Sequence, residues 1–420
     1  MSKYKYRLKL FFLLSMIYFL VITSCLPATP KDTASLTTPF ATMTPQAILS
    51  PTSIPNTPTP SIPRVEQKCA QFVEDSPSSF LDGTIVLRRF KQGEESSPIY
   101  FLDLKTNNQV ALSRGIDATI SPDGNKVAYG DVDLNIVVVA DITGILVQIP
   151  SDLEESLNPA GWLDNQRLML DKYEFDSNMK FTSISLVSLD VVTGDKEEWF
   201  QEYPNFSPRF YNRITWLPDT DLIINPKFKY LIYPSWEDSL PVILWDIDSN
   251  REVARIHNGD RESTPKWSPD GTRFVIGAPP QITGYKNIDD GLPNKIGNDL
   301  FLVSYTGKVE RLTYFTVEEK SWQSLYSWSP DGQYIAFLLE TGDFGNIDSG
   351  DLAIVNVKTG EVTQYCIGGI PIWTSDGRYI LLSQTDDNFK SSVYLLDLQS
   401  SDTFLIAEDA YAIGGTIRNP

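Results

Sequence analysis

Two stretches of the chain repeat the same five residues and continue in the same way. The chain reads "PKWSPDGTRFVIG" from Pro265 and "YSWSPDGQYIAFL" from Tyr326. In each stretch, proline fixes the backbone for the first central position of a tight turn. Aspartate can bond to its own backbone, and glycine supplies the positive φ that ends the turn. The β-branched and aromatic residues that follow favour a strand, so each stretch is predicted to form a β-hairpin.

Four degenerate copies of this hairpin occur elsewhere in the chain: "TISPDGNKVAYG", "GWLDNQRLML", "TWLPDTDLII" and "IWTSDGRYILL". With isoleucine in place of the first tryptophan, the anchor residues lie 42 to 61 positions apart at Ile120, Trp162, Trp216, Trp267, Trp328 and Trp373. Each hairpin is followed by a second apolar strand that ends in a polar turn, as in "LAIVNVKTG", and then by a third short strand. This period, with four short strands per unit, is typical of an all-β β-propeller.

The strand count favours seven blades over the six that the anchors alone suggest. Three segments near the start supply a second, third and fourth strand without a first: Thr84–Arg89, Ile99–Leu104 and Val110–Ser113. Three more segments complete the unit of the last anchor: Tyr379–Ser383, Val393–Leu398 and Phe404–Ala407. The stretch "DAYAIGG" from Asp409 is then left over. We expect this C-terminal strand to pair into the first blade and close the ring, which would hide the edges of an open ring.

The hairpin, with the following "IYFLDLKTNNQ" or "LAIVNVKTGEV", resembles the TolB-type, WD-like propeller repeat. The resemblance extends from Gly83 to the C terminus, and it implies a propeller fold. The copies at Trp162 and Trp216 depart from the repeat because they lack the glycine. The resemblance does not assign an activity, since the family includes binding scaffolds, peptidase-associated propellers and sugar lyases.

The N terminus, "MSKYKYRLKLFFLLSMIYFLVITSC", has the features of an export signal. A basic flank precedes an apolar run from Leu10 to Ile22, which is short for a membrane span but fits a signal-peptide core. The residues Ile22-Thr23-Ser24-Cys25 resemble a bacterial lipobox. We therefore predict a lipoprotein signal peptide over residues 1–24 and lipidation of Cys25, which would anchor the chain in a membrane. An ordinary cleaved signal or a short membrane anchor are the alternatives.

Residues 25–63 are predicted to form a disordered tether. Nine of the 28 prolines lie between Leu26 and Pro63, interleaved with threonine and serine. This composition cannot bury a core and favours extended, polyproline-like conformations. A glycosylated stalk is the alternative. Residues 64–420 are then the propeller domain, which can be large because propellers grow by adding blades.

The charge of the chain argues against two kinds of partner. The formal net charge is −19, and removal of residues 1–24 takes away four positive charges and no negative ones. A strongly acidic surface argues against nucleic acid as a partner and against adsorption to anionic lipid.

Two cysteines remain after Cys25 is assigned to lipid: Cys69 and Cys366. An exported chain permits a disulfide between them, and we predict that they pair. Two separate thiols are the alternative.

No catalytic motif is recognisable in the sequence. His257 is the only histidine, so the histidine clusters that lyases of this fold resemblance use cannot form, and no Gly-x-Ser-x-Gly elbow accompanies it. A loop or structural role is expected for this residue.

Three groups of mostly acidic residues are candidates for a metal site or for catalysis. Asp131, Asp133 and Asn135 mimic the start of a calcium loop, but the required glycine and closing glutamate are absent. The pairs Asp289–Asp290 and Asp386–Asp387 could in principle serve a glycosidase. Solvated loop charge is the expectation for both pairs, so we assign no catalytic residue, cofactor or metal site.

Length is concentrated in the connections between second and third strands, which share one face of a propeller. These connections are predicted at Lys91–Ser97, Asp171–Thr182, Asn225–Leu240, Ala278–Asn298, Glu340–Gly350 and Gln384–Lys390. Long loops on a rigid scaffold commonly carry binding function. The leading hypothesis is a binding or scaffold lipoprotein of the bacterial cell envelope, with a protein or glycan partner on this face. The alternative is an extracytoplasmic carbohydrate-active or peptide-hydrolysing enzyme that uses carboxylates there.

Overall fold

The fold was obtained as a computed structural model. Within the residues described, all regular structure is β-strand except for one short turn of 3-10 helix, Phe315–Val317. The structure describes residues 65–73, 81–89, 97–131, 133–151, 155–177, 181–200, 224–225, 230–234, 242–256, 265–279, 297–317, 321–341, 350–386 and 390–418. In these ranges, no helix combines the length and the hydropathy needed to cross a bilayer.

The strands are short, as the turn-rich sequence predicts. In chain order they are β1 (Val65–Lys68), β2 (Gln71–Phe72), β3 (Asp82–Arg89), β4 (Ser97–Asp103), β5 (Gln109–Ile120), β6 (Lys126–Asp131), β7 (Ile136–Asp141), β8 (Gly144–Pro150), β9 (Glu155–Trp162), β10 (Arg167–Phe175), β11 (Phe181–Asp190), β12 (Lys196–Phe200), β13 (Ile224–Asn225), β14 (Tyr230–Pro234), β15 (Val242–Asp246), β16 (Arg251–Ile256), β17 (Lys266–Trp267), β18 (Arg273–Ala278), β19 (Asp299–Ser304), β20 (Val309–Arg311), β21 (Ser321–Trp328), β22 (Tyr334–Thr341), β23 (Asp351–Asn356), β24 (Val362–Tyr365), β25 (Ile370–Trp373), β26 (Tyr379–Thr385), β27 (Ser391–Asp397), β28 (Asp402–Glu408) and β29 (Ala410–Arg418).

The strands form sheets of similar design. Sheet 1 has the order β29-β3-β4-β5-β6-β7-β8, and sheets 2, 3 and 4 are the successive runs β9 to β12, β13 to β16 and β17 to β20. Sheet 5 is β21 to β24 with β1 added at the edge, and sheet 6 is β25 to β28 with β2 added. Each sheet contains antiparallel runs of four neighbouring strands, which we call units. Sheet 1 holds two units that share β5.

The shared strand β5 was not expected from the sequence. The predicted strand Val110–Ser113 and the anchor Ile120 lie on this one continuous strand, which pairs with β4 along its first half and with β6 along its second. The chain therefore passes from one unit to the next without an intervening loop.

The C-terminal strand β29 pairs antiparallel with β3, with Gly415 opposite Ile85. The two backbones approach closely, since a Cβ added to Gly83 would lie 2.4 Å from the carbonyl oxygen of Thr416. The stretch that the sequence left over thus supplies the missing first strand beside β3.

The predicted connection Asn225–Leu240 is wrong. It contains β14 (Tyr230–Pro234), which pairs with β13 on one side and β15 on the other. The hairpin predicted at Trp216 placed Ile224 and Asn225 in the second strand of its unit. In the structure, Ile224–Asn225 is β13, the first strand of sheet 3. The predicted connection Asp171–Thr182 is also too long, because β10 continues to Phe175 and β11 begins at Phe181.

The sequence did not predict two of the strands, β1 and β2. β1 pairs in parallel with β24, and β2 pairs in parallel with β28. Both lie between the predicted tether and the first predicted strand. They add a fifth strand to the outer edges of sheets 5 and 6.

The fourth strand of most units carries a β-bulge, in which one extra residue interrupts the ladder. The bulges occur in the pairs β4–β5, β7–β8, β11–β12, β15–β16 and β27–β28. In the described residues, β24 pairs in regular register and is covered by β1, and β20 is three residues long with two charged side chains. Each described fourth strand is therefore bulged, covered, or short and charged, and the added edge strands β1 and β2 are only four and two residues long. These are common protections against strand addition.

The apolar core lies between the faces of neighbouring sheets. Buried clusters join sheet 1 to sheet 2, sheet 3 to sheet 4, sheet 4 to sheet 5, sheet 5 to sheet 6, and sheet 6 back to sheet 1. A further cluster joins the two units of sheet 1. Face-to-face packing of successive four-stranded sheets is a propeller-like arrangement.

Candidate functional site

The repeated Ser-Pro-Asp-Gly turn is held by one hydrogen-bond pattern. In "SPDG" of sheet 5, the Ser329 hydroxyl donates to Asp331 Oδ1 at 2.6 Å, and the same oxygen accepts from the Gln333 backbone N–H at 3.0 Å. Gly332 adopts a φ of 69°, a left-handed conformation in which glycine is favoured. The corresponding serine–aspartate bonds are found at Ser121–Asp123 and Ser268–Asp270, both 2.6 Å.

In three of the described units, the anchor tryptophan links its unit to the unit before it. Its indole Nε1–H donates to a backbone carbonyl that directly precedes the anchor of the previous unit. The described pairs are Trp162 to Thr119 at 3.3 Å, Trp328 to Lys266 at 2.9 Å and Trp373 to Ser327 at 3.0 Å. The turns also adjoin, since a Cβ on Gly332 would lie 3.6 Å from Pro269 Cδ. The motif therefore serves contacts between sheets as well as the hairpin itself.

The connections between third and fourth strands form a second set of closed turns. Asp190 ends β11, and its Oδ1 accepts the backbone N–H groups of Val192 and Thr193 at 2.8 and 3.0 Å. Asn356 at the end of β23 makes the same pair of bonds. These asparagine and aspartate turns lie at the same end of the sheets as the Ser-Pro-Asp-Gly turns, and we call this end the tight-turn face. Its polar groups are largely bonded within their own turns.

Turn carboxylates on this face have lowered pKa values. Burial raises the pKa of Asp270, but hydrogen bonds from Ser268 and Thr272 outweigh the burial, so the pKa lies below its usual range. Two backbone N–H groups of its own turn lower the pKa of Asp190. Both carboxylates are thus stabilised in the ionised form by hydrogen bonds that exist only in the folded chain.

Stability is expected to decrease in acid. Since the folded pKa of these carboxylates lies below the unfolded value of about 3.9, their stabilisation is complete above that value and is lost as the pH falls through the folded pKa. Thermal melts between about pH 5 and pH 2.5 measure this loss. Asp270→Asn should reduce the slope of melting temperature against pH. An unchanged slope in that variant would contradict the assignment.

The opposite end of the sheets, which we call the loop face, carries the connections between second and third strands. Among the connections between second and third strands, the longest runs over residues 279–298, between β18 and β19, and the next over 342–350, between β22 and β23. On the tight-turn face, by comparison, β22 follows β21 after the turn 329–333. Of the six long connections that the sequence predicted, 176–180 and 386–390 are as short as that turn, so loop length is less concentrated at this end than predicted.

A buried polar network that the sequence did not reveal lies at this face. Asp299, fully buried at the start of β19, accepts hydrogen bonds from Arg311, Thr316 and the Gln323 Nε2–H, the last at 3.0 Å. The Thr313 hydroxyl donates to Gln323 Oε1 at 2.6 Å. These residues come from three strands and the connection 312–320, so no short motif could have marked them. Both oxygens of the carboxylate are occupied, and the network fixes the connection between sheets 4 and 5.

Five of the candidate residues lie outside the residues that the structure describes. These are Cys25, His257, Asp289, Asp290 and Asp387.

The candidates that are described act as turn residues. Asp131 Oδ1 accepts the backbone N–H groups of Asp133 and Leu134, and Asp386 Oδ1 accepts that of Lys390. In the part of the chain that the structure describes, no group of three or more His, Cys, Asp or Glu side chains is arranged to hold a metal ion.

Cys69 and Cys366 are joined by a disulfide with an S–S distance of 2.03 Å. Cys69 directly follows β1, and Cys366 directly follows β24. The bond therefore closes the end of the parallel pair that these two strands form.

No protein-family model and no curated protein matches the chain. Similar solved structures include TolB from Acinetobacter baumannii, which is 12% identical with a TM-score of 0.40, over 80% of this chain and 81% of that one. They also include an oligogalacturonate lyase in complex with manganese, which is 17% identical with a TM-score of 0.44, over 73% and 84% of the two chains. An acylaminoacyl peptidase from Pyrococcus horikoshii is 14% identical with a TM-score of 0.49, over 79% of this chain and 53% of that one. The structural neighbours thus include TolB and other β-propeller proteins.

Proposed function

We propose that the chain is a membrane-anchored, extracytoplasmic β-propeller lipoprotein that binds a protein or glycan partner through its loop face. In this proposal Cys25 carries the lipid, residues 25–63 form the tether, and residues 64–420 form the propeller. The lipobox and the proline-rich composition support the anchor and the tether. The proposed location is the cell envelope, on the outer side of the membrane that holds the lipid.

The proposed ring has seven blades and is closed. Sheet 1 supplies two four-stranded units and the other sheets supply one each. In three units the first strand has one extra residue that interrupts its pairing with the second strand; these first strands are β5, β9 and β21. β29 has the same irregularity in its pairing with β3. The buried cluster between sheet 6 and sheet 1 is the contact that a closed ring requires. These features support β29 as the first strand of the first blade.

The difference between the two faces carries the binding proposal. The tight-turn face is formed by short turns whose carboxylates, amides and hydroxyls are bonded locally. The loop face bears the long connections on a support held by the Asp299 network. Loops on such a rigid support can vary in sequence without cost to the core, so they are suited to recognition.

The proposal is tested by shortening one long connection. Residues 342–348 are replaced by Asn-Gly, a two-residue turn that joins Thr341 to Ser349 and so continues the antiparallel register of β22 and β23. The matched control inserts eight glycine and serine residues into the turn 358–360 on the tight-turn face. Envelope extracts and a glycan array are probed with each protein. We expect the native chain and the control to retain the same partner and the shortened variant to lose at least about tenfold in affinity, or 1.4 kcal/mol.

Equal binding by all three proteins would contradict the loop face as the site. The anchor has its own readout, since the native chain should incorporate labelled fatty acid and Cys25→Ala should not. If the chain is instead an enzyme, it should turn over a peptide or an oligosaccharide, and this turnover should depend on a carboxylate of the loop face.

A further inference from the structure

The segment Val65–Val73, which we call the strap, fastens the start of the domain to two sheets. β1 pairs in parallel with β24 of sheet 5, and β2 pairs in parallel with β28 of sheet 6. Between the two strands, Cys69 is bonded to Cys366, which lies in the connection from sheet 5 to sheet 6. The strap thus crosses the junction of these sheets and is joined covalently to it.

The noncovalent hold on the strap is slight. Val65, Glu66 and Gln67 are exposed, and both residues of β2 are exposed. The strap pairs with four residues of β24 and two of β28, and the bonds beside the disulfide include Cys366 N–H to Lys68 O at 3.0 Å and Gln71 N–H to Ser401 O at 2.9 Å. Its apolar contacts are Ala70 against a buried cluster and the Phe72 ring, 5.7 Å from that of Tyr394. A strand held by so few buried groups opens at low free energy, so these bonds alone would yield early.

The element that follows the strap is the strand on which closure of the domain depends. After Val73, the next described strand is β3 (Asp82–Arg89), which pairs with the C-terminal β29. A force that peels the chain from its N-terminal side would therefore meet β1, then β2, and then β3. Loss of β3 would separate β29 from sheet 1.

We propose that the Cys69–Cys366 disulfide is a mechanical stop that prevents tension on the N-terminal tether from reaching β3. Tension would release β1 and then enter the domain at Cys366, between sheets 5 and 6. The covalent bond thus diverts the load away from the strands that join the two chain ends. Its biological use depends on the proposed tether, but the device itself acts on any force applied at the N terminus.

The test is single-molecule pulling of the full chain. One handle is attached at the N terminus and the other to a peptide tag inserted in the exposed turn 248–250 of sheet 3. In the oxidised protein, the first release should comprise residues 65–68, about 14 Å of extended chain, before the main rupture. In Cys69→Ser/Cys366→Ser, it should continue through residue 81, about 60 Å, and rupture of sheet 1 should follow.

Two further samples complete the test. The oxidised protein treated with a reductant in the instrument replaces the serine variant if that variant does not fold, and it should also show the longer release. Gln71→Pro/Val73→Pro removes the donors to β28 but keeps the disulfide, so its release should remain short. A short release without the disulfide, or a long one in the proline variant, would overturn the proposal. Lipid labelling at Cys25 affects neither result.

Discussion

Deletion of Ala410–Pro420 is expected to abolish cooperative unfolding of the domain. The deletion removes β29, whose residues Ala410, Ala412 and Ile417 are almost completely buried between sheets 1 and 6. It would leave the long edge of β3 unpaired and expose the apolar faces on both sides of it. An unpaired, largely apolar strand edge invites association between chains. We expect a broad thermal transition, a reduced denaturant m-value and concentration-dependent aggregation.

A synthetic peptide of residues 410–418 provides the matched rescue. Added to the truncated chain, it should restore a sharp transition, because the missing strand forms its ladder with β3 alone. Deletion of residues 419–420 is the control and should leave the transition unchanged. A truncated protein that melts as sharply as the full chain would refute closure by this strand.

Trp328→Ala is expected to lower the free energy of unfolding by about 3–5 kcal/mol, the range for loss of a large aromatic side chain from a core. Trp328 is 9% exposed and packs in the cluster between sheets 4 and 5. Its indole also donates to Lys266 O, so the change removes both a packed ring and a bond between sheets. Denaturant melts of the oxidised protein measure the loss.

Trp328→Phe separates these two contributions. Phenylalanine keeps an aromatic ring in the cluster but cannot donate to Lys266 O. A lost hydrogen bond of this kind costs about 0.5–1.5 kcal/mol, and the smaller ring adds a cavity term. We expect a loss smaller than that of Trp328→Ala. A cost below about 1 kcal/mol for Trp328→Ala would mean that the anchor is not central to contacts between units.

The sequence predicted the features that depend on neighbouring residues. Proline, aspartate and glycine determine a turn within four positions, so five of the hairpins, from the one at Ile120 to the one at Trp373, lie where the motif indicated. The alternating apolar residues after each turn likewise place the second strands, because burial of one or both faces has a local signature.

Features that depend on distant residues were missed. β1 is a strand because residues 297 positions away offer it an edge, and its own four residues carry no strong β signal. The Asp299 network likewise collects its donors from separate strands. The sequence predicted the hairpin of the anchor tryptophan but not the hydrogen bond that its indole N–H donates to the preceding unit.

In the proposed lipid-anchored state, the bulged outer strands would have a consequence for many of these molecules held at one surface. Lipid-anchored proteins diffuse in two dimensions, where neighbours collide side-on and their rims meet far more often than in dilute solution. A regular outer strand would let each rim join the next in a growing lateral array. At Leu146, for example, the extra residue breaks the β7–β8 ladder, so a neighbouring strand could continue it for only a few residues. Molecules anchored in this way could therefore be crowded together without joining through their bulged edges.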